Sequence, residues 1–193
     1  MSRLDFLLKI YPTITNLLFP MVKPFLRRGH AEGFDERCGY YNMQKMEKVK
    51  GRSLWVHAVS VGEVQAAFPL IREMRRSGCR LPILLSTVTE TGQAMAKRLM
   101  DADLDVILFA PWDIASVVDR ALNAINPCAY ITMETEIWPN ILLQLHQRGI
   151  PSFLVNGRVS DRALARAVGW QKGVLSRLLP CCSRIVAREK SDA

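Results

Sequence analysis

The feature that most constrains this chain is a regular alternation of two hydrophobic patterns from residue 53 onward. Short apolar runs rich in β-branched residues recur at Leu54–Val59, Pro82–Thr87, Asp105–Phe109, Ala129–Met133, Ser152–Val155 and Arg184–Ala187. Apolar residues at helical spacing occupy the segments between them, residues 63–77, 92–101, 113–125, 139–148 and 161–179. Strands that alternate with helices form a parallel sheet covered on both faces. The sequence therefore predicts an α/β fold with a six-stranded, Rossmann-like parallel sheet.

The polar segments of this pattern fall at one edge of the predicted sheet. In open α/β sheets, ligands bind outside the carboxyl ends of the strands. The segments that follow strands are HAVSVGE (57–63), STVTETG (86–92), APWD (110–113), METEIWPN (133–140) and NGRVSD (156–161). The connections at the opposite edge, RSGCRLP, DADLD, INP and RGIP, are less unusual in their polar residues. We therefore expect the ligand site at the carboxyl edge.

Glu63 follows the first predicted strand and has two interpretations. Ser60-x-x-Glu63 matches a capping box, in which the serine oxygen and the carboxylate each bond to free N–H groups at a helix start. Thr87-x-x-Glu90 fits the same template. The alternative for Glu63 is a catalytic acid or base at the mouth of the sheet. The turn lacks G-x-G-x-x-G, since Gly62 is its only glycine, which removes the main reason to expect a nicotinamide or flavin cofactor.

The METE segment carries a second pair of acids, Glu134 and Glu136. If the strand stays extended, residues two apart project to the same side. A structural pair of acids bonded to Arg158 is one alternative. A metal site is another, but no histidine nearby has ligand spacing, so we expect none. Trp138 follows, and then Pro139, which we expect at the first helical position.

The N-terminus, residues 1–29, does not follow the alternation of strand and helix patterns seen from residue 53 onward. It is apolar but interrupted by lysines and prolines, Lys9, Pro12, Pro20, Lys23 and Pro24. No run approaches the roughly 18–20 apolar residues of a spanning helix, and no cleavage site of a signal peptide follows. An apolar stretch flanked by Lys and Arg is typical of a segment lying in the interface of an anionic membrane. A helix packed on its own domain is the alternative. Residues 30–52, rich in charge and glycine, are predicted to be a connector.

Charge and cysteine content narrow the classes of partner. The formal net charge of +8 favours an anionic partner. A nucleic acid is not expected, because no basic motif is interleaved with aromatic residues. The five cysteines are odd in number and lack C-x-x-C spacing, which favours a reducing compartment over a zinc site or a disulfide framework.

Five segments resemble, in order and spacing, the N-terminal half of bacterial Kdo transferases, the 3-deoxy-D-manno-octulosonic acid transferases of lipopolysaccharide assembly. These segments are LWVHAVSVGEVQAAFPLIREM, STVTETG, PWD, METEIWPNILLQLHQRGIP and NGRVSDR. ERCGYY (Glu36 to Tyr41) and the apolar N-terminus extend the resemblance over the whole chain. Ser86, where threonine is more usual, and Gly157, where alanine is more usual, depart from the family pattern without touching an acid.

The resemblance implies a metal-independent, inverting glycosyltransferase of the GT-B type, without cofactors, in which two Rossmann-like domains face a cleft. It would move Kdo from CMP-Kdo to the lipid A precursor (lipid IVA) at the cytoplasmic face of the cell inner membrane. In that family the acid matching Glu63 is the general base. The residues expected to bind substrate lie in the matching motifs and are Ser60, Gly62, Thr89, Thr91, Gly92, Asp113, Glu134, Glu136, Asn156 and Arg158.

The resemblance also implies a division of labour between two domains. Residues 53–193 would form the acceptor-binding domain, and the C-terminal domain that binds most of the donor is expected to be absent from this chain. The alternative function is a truncated, non-catalytic module that holds the lipid without transferring sugar.

Overall fold

A computed structural model of the chain describes residues 3–49, 51–100, 102–134, 136–157 and 169–188. Six strands form one sheet, and these are Ser53–His57 (β1), Ile83–Thr87 (β2), Val106–Phe109 (β3), Pro127–Met133 (β4), Ser152–Gly157 (β5) and Arg184–Ala187 (β6). The strand order is β3-β2-β1-β4-β5-β6, and every neighbouring pair is parallel. This is the doubly wound Rossmann order, and it confirms the predicted fold.

Eight helices are described over the same residues, with one 3₁₀ turn at Leu179–Cys181. They are Arg3–Gly29 (α1), Phe34–Arg37 (α2), Met43–Glu47 (α3), Val61–Arg76 (α4), Glu90–Met100 (α5), Ala115–Ile125 (α6), Pro139–Gln147 (α7) and Gly169–Leu178 (α8). The prediction of Pro139 at the start of a helix is confirmed, because α7 begins at that residue. The other predicted boundaries within the described residues move by a few residues at most.

The core lies on both faces of the sheet, which explains why its strands read as continuous apolar runs. All five residues of β2 are buried. Trp55 and Tyr130 belong to the cluster under α6 and α7, and their rings meet edge to face with centroids 5.0 Å apart. Val56 and Ile131 belong to the cluster under α4 and α5. Adjacent residues of one strand thus enter opposite layers, as the two-residue period of a strand requires.

Residues 30–52, the predicted connector, join α1 to β1 but also pack on the domain. They carry α2 and α3, and Arg37 and Cys38 are only 1% exposed. The Glu36 carboxylate accepts a hydrogen bond from the backbone N–H of Phe109 (2.8 Å), and the Arg37 carbonyl accepts one from Trp112 (2.9 Å). The segment therefore covers the end of β3.

One side of α1 packs on the domain. Phe19 is buried against Trp112, with ring centroids 6.1 Å apart. Thr15 and Asn16 accept hydrogen bonds from the backbone N–H groups of Ala115 and Ser116 (3.4 and 2.8 Å). These N–H groups belong to the first turn of α6, which has no acceptor of its own for them because its N-cap residue is an isoleucine. The interpretation of α1 as a packed helix is therefore right for this side.

The other side of α1 exposes large apolar side chains, namely Leu7, Ile14, Leu17, Leu18, Met21, Val22 and Phe25. The helix continues through Pro12, Pro20 and Pro24, although the sequence analysis took these prolines as interruptions. Among the described residues, no helix combines the length and apolar character needed to cross a membrane.

Candidate active site

Glu63 lies in the first turn of α4, directly after β1, and is 6% exposed. Its Oε2 atom accepts a hydrogen bond from the Val59 backbone N–H (2.8 Å), and its Oε1 atom accepts one from the Ser60 hydroxyl (3.0 Å). The predicted capping box is therefore not formed in its standard geometry, because Glu63 accepts from Val59, one residue before the N-cap. The glutamate reaches back to the backbone, but Ser60, the N-cap residue, bonds to the carboxylate and makes no side-chain bond to the helix backbone. Both oxygens of Glu63 are held in place, and each keeps a lone pair for a further donor.

The charges of two other carboxylates act on Glu63. Burial raises the pKa of Glu63 above its usual range, and the negative charges of Glu136 and Glu134 raise it further. The hydrogen bonds from Val59 and Ser60 oppose this shift without overcoming it.

The topology of the sheet explains why these carboxylates lie at the same edge. Glu63 follows β1, while Glu134 and Glu136 follow β4, and β1 and β4 are neighbours at the centre of the strand order. From this pair the connections run outward in opposite directions, to β2 and β3 on one side and to β5 and β6 on the other. Such a switch point opens a crevice at the carboxyl ends of the two strands, where ligands of doubly wound folds bind.

Glu134 and Glu136 are not arranged as two residues of one extended strand. β4 ends at Met133, and Glu134 has the left-handed backbone conformation (φ 56°). The expectation that both acids share one side of a strand was conditional on extension, and that condition fails. The Glu134 N–H donates to the Val155 carbonyl of β5 (2.9 Å), which stabilises the turn. Asn156, at the end of β5, has the same uncommon conformation (φ 59°).

Glu136 is oriented by Trp138, whose indole N–H donates to the Glu136 Oε2 atom (2.9 Å). Behind the indole lies His57, which is fully buried and meets the Trp138 ring edge to face at 5.5 Å. Burial lowers the pKa of His57 to about 4, so its imidazole is neutral at pH 7. Its Nδ1 atom lies 2.9 Å from the Ser86 hydroxyl, and its Nε2 atom has no partner among the described residues.

Thr89 and Gly92 hold the backbone behind Glu63. The Thr89 hydroxyl donates to the Val59 carbonyl (3.3 Å) and accepts from the Gly92 N–H (3.0 Å), so Thr89 caps α5. The predicted Thr87–Glu90 capping box is therefore wrong, since the capping side chain is Thr89. A Cβ atom at Gly92 would stand 2.8 Å from the Thr89 hydroxyl and 3.3 Å from the Val59 carbonyl. Glycine allows this close approach.

Three other predicted site residues, Gly62, Thr91 and Asp113, have different surroundings. Gly62 and Thr91 are exposed, and a Cβ atom at Gly62 would meet nothing within 4 Å. Asp113 accepts hydrogen bonds from Tyr11 of α1 (3.1 Å) and from two N–H groups in the first turn of α7 (3.1 and 3.0 Å). Burial raises the pKa of Asp113 to about 6. Arg158 lies outside the described residues.

Sequence reasoning missed Arg37, the buried arginine of the connector. Its guanidinium donates to the Val88 carbonyl (2.8 Å), in the turn that joins β2 to α5. No periodic pattern in the sequence marks it, because its burial arises from packing against residues far along the chain. Only the charged ERCGYY element was noted there, as part of a resemblance.

A metal site is not formed by the described residues, among which no group of three His, Cys, Asp or Glu side chains is arranged to hold an ion. Of the acids at the switch point, Glu63 and Glu136 accept hydrogen bonds from described donors. In this arrangement, a buried carboxylate of raised pKa can accept a proton from a hydroxyl group.

Comparison with known proteins gives one family. A family model described as 3-deoxy-D-manno-octulosonic-acid transferase (Kdo transferase) matches residues 32–193. The 3-deoxy-D-manno-octulosonic acid transferase of Haemophilus influenzae is 35% identical over 154 residues, which are 80% of this chain and 35% of that protein. The Bordetella pertussis protein of the same name is 36% identical over 72% of this chain and 33% of its own length. A probable mitochondrial 3-deoxy-D-manno-octulosonic acid transferase of Arabidopsis thaliana is 31% identical over 95% of this chain and 40% of its own length.

The chain thus spans about a third of the first two curated relatives. The family match includes every acid of the switch point, and the observed fold agrees with the one that the resemblance implied. The chain belongs to the family of 3-deoxy-D-manno-octulosonic-acid transferases.

Proposed function

We propose that this chain is the acceptor-binding part of a glycosyltransferase that moves Kdo from CMP-Kdo to the lipid A precursor, lipid IVA. The observation that carries the proposal is the position of Glu63, buried and held by two hydrogen bonds at the switch point between β1 and β4, where the charges of Glu134 and Glu136 act on it. Family membership supplies the reaction, and this edge is where a doubly wound fold binds its ligand.

Glu63 is the general base of the proposed reaction. A glucosamine hydroxyl of the acceptor gives its proton to the Glu63 carboxylate as its oxygen attacks the anomeric carbon of Kdo. The new carbon–oxygen bond forms on one face while the bond to the phosphate oxygen breaks on the other, and CMP leaves with the bonding electrons. The raised pKa makes Glu63 a stronger base than an exposed carboxylate, and the Val59 and Ser60 donors hold it in one orientation.

The surroundings of the remaining predicted residues support a different role for each. Open space beside Gly62 leaves room for a ligand to approach the start of α4. Glu134 and Asn156, held in left-handed conformations at neighbouring strand ends, are suited to direct polar groups at an acceptor sugar. Thr91 is exposed in the first turn of α5. Arg158, which follows β5 in the sequence, is the proposed partner for acceptor phosphate. Asp113 takes part through the placement of α1 and α7.

The N-terminal helix would bring the site to the membrane. Its apolar side carries Leu17, Met21 and Phe25, which are 75%, 70% and 69% exposed. Lys23, Arg27 and Arg28 line an open pocket of about 490 Å³ next to that side. Apolar side chains beside cationic ones bind an anionic lipid surface through burial and charge attraction together. In this proposal α1 lies at the cytoplasmic face of the inner membrane, where the lipid acceptor is held.

Separate titrations of the chain with lipid IVA and with CMP-Kdo test this division of labour. We expect binding of the lipid and not of the nucleotide sugar, and we expect Glu136→Gln to weaken lipid binding more than Glu73→Gln. Glu73 is a suitable control because it is exposed at the far end of α4. Tight binding of CMP-Kdo, or no binding of the lipid, would contradict the proposal. A further outcome is that the chain binds the lipid but supports no sugar transfer when it is joined to a donor-binding half. That result would favour the alternative function, a module that holds the lipid without catalysis.

A further inference from the structure

We propose that Arg37 is a positioning residue for Glu63, acting through the β2–α5 turn (Val88 and Thr89) and the backbone of Val59. The inference rests on the proposed role of Glu63 as the base. Arg37 is not a direct partner of Glu63, and its effect is carried through three successive steps of hydrogen bonding, the middle one made by two parallel bonds. It is the last residue of α2, inside the segment (residues 30–52) that the sequence marks only as a connector.

The first links join Arg37 to the turn. Its Nη2 atom donates to the Val88 carbonyl at 2.8 Å, and its Nε atom donates to the Glu32 carbonyl at 3.4 Å. The guanidinium carbon stands 4.2 Å from the centre of the Phe109 ring. The side chain is thus fixed on three sides, at 1% exposure.

The next links join the turn to the base. The N–H groups of Val88 and Thr89 both donate to the Val59 carbonyl (3.1 Å each), and the Val59 N–H donates to Glu63 Oε2 (2.8 Å). The Val88 carbonyl that Arg37 holds shares a peptide unit with the Thr89 N–H. Arg37 therefore polarises the Thr89 N–H, which donates to the Val59 carbonyl, because hydrogen bonds in a chain strengthen one another. The orientation of Val59 then determines where the Glu63 carboxylate is held.

The charge balance around Arg37 is consistent with a fixed cation. Burial lowers the pKa of its guanidinium from the usual value, and the carboxylates of Glu90, Glu32 and Glu36 oppose that shift. A buried guanidinium is costly to place and retains its charge, so its partners are kept in one geometry. Its shortest hydrogen bond goes to the turn behind the base.

Arg120 provides a matched control. It also holds the connector, donating through Nε and Nη2 to the Cys38 carbonyl (3.2 and 2.9 Å) while its guanidinium lies 4.8 Å from the centre of the Tyr40 ring. None of its described hydrogen bonds reaches the β2–α5 turn. A change at Arg120 therefore loosens the connector without removing the bond to Val88.

The test is amide hydrogen exchange of the 193-residue chain by NMR, read at Val59, together with the pKa of the Glu63 carboxyl group. In Arg37→Met, exchange at the Val59 amide should accelerate by about tenfold or more, because the bond to Glu63 loosens. The pKa of Glu63 should rise, since the Val59 N–H holds it down. In Arg120→Met both readouts should stay at the values of the parent chain.

Unchanged Val59 exchange in folded Arg37→Met would overturn the proposal, as would equal acceleration in Arg120→Met. If Arg37→Met does not fold, Arg37→Lys is the second variant, because lysine keeps the positive charge but lacks the planar guanidinium with its several N–H donors. Faster Val59 exchange in Arg37→Lys supports positioning, and parent-like exchange rejects it. Both readouts are independent of sugar transfer, so a failure of Glu63 as the base would leave this result interpretable.

Discussion

Gly33→Ala should destabilise the chain more than any ordinary change in a loop, because the connector is seated directly on the sheet. Gly33 has a left-handed backbone (φ +66°), and a Cβ atom there would overlap the ring of Phe109. The left-handed conformation costs a residue with a Cβ about 1–2 kcal/mol. Overpacking against a ring already covered by Arg37 adds about 1–3 kcal/mol. We expect a total loss of about 2–5 kcal/mol in the free energy of unfolding.

Gly149→Ala separates the two contributions. Gly149 has almost the same backbone conformation (φ +67°), but a Cβ atom there would meet nothing within 4 Å. It should therefore lose only the conformational part, about 1–2 kcal/mol. Urea unfolding followed by circular dichroism gives both free energies, and similar slopes with urea would show that the unfolding transition is the same. If Gly33→Ala and Gly149→Ala agree within about 0.5 kcal/mol, the connector is not packed on Phe109 and the reasoning is refuted.

Two further predictions concern the contacts of α1. Asp113 has its pKa raised from 3.8 to about 6, so its stabilising contribution is complete below pH 3.8 and is lost as the pH rises through about 6. The unfolding free energy of the parent relative to Asp113→Asn should therefore fall by about 3 kcal/mol between pH 3.5 and 7, and a difference independent of pH would contradict this. Replacing Leu17, Met21 and Phe25 together with serine should reduce binding to anionic vesicles at least about a hundredfold. The reason is that burying each of these apolar side chains in the membrane contributes about 1.5–3 kcal/mol to the free energy of binding. Met43→Ser, at an exposed methionine outside α1, is the control, and equal sedimentation of both variants with vesicles would count against the membrane assignment.

The sheet could be predicted from sequence because strands buried on both faces leave a clear signal. Runs such as ILLST in β2 are apolar or small at every position, and turns of predictable composition separate them from the helices. The same regularity predicted the carboxyl edge, where Glu63, Glu134 and Glu136 follow β1 and β4. These conclusions required only local periodicity and the general rule for where open α/β sheets bind ligands.

The parts that could not be predicted depend on contacts between distant residues. Glu134 leaves the strand in a left-handed turn, although no glycine or asparagine stands at that position to indicate it. Arg37 is buried because it meets Val88 and Phe109, which are far along the chain. One side of α1 likewise packs on the domain because Thr15 and Asn16 supply acceptors to the first turn of α6, which has none of its own. Periodicity carries no information about such pairings.

The central claim is that Glu63 accepts the proton of the acceptor hydroxyl, and Kdo transfer by a Glu63→Gln variant tests it most directly. The assay uses a chimera in which this chain is continued by the C-terminal half of the Haemophilus influenzae relative, with the unmodified chimera as reference. Glu73→Gln, on the exposed end of the same helix, is the control for the substitution itself. Glutamine keeps the shape and can still accept from Val59, but it cannot take the proton, so we predict a fall of about 10²- to 10⁴-fold in kcat with unchanged circular dichroism. Transfer by Glu63→Gln within about threefold of the reference, matching Glu73→Gln, would contradict the role of Glu63 as the base.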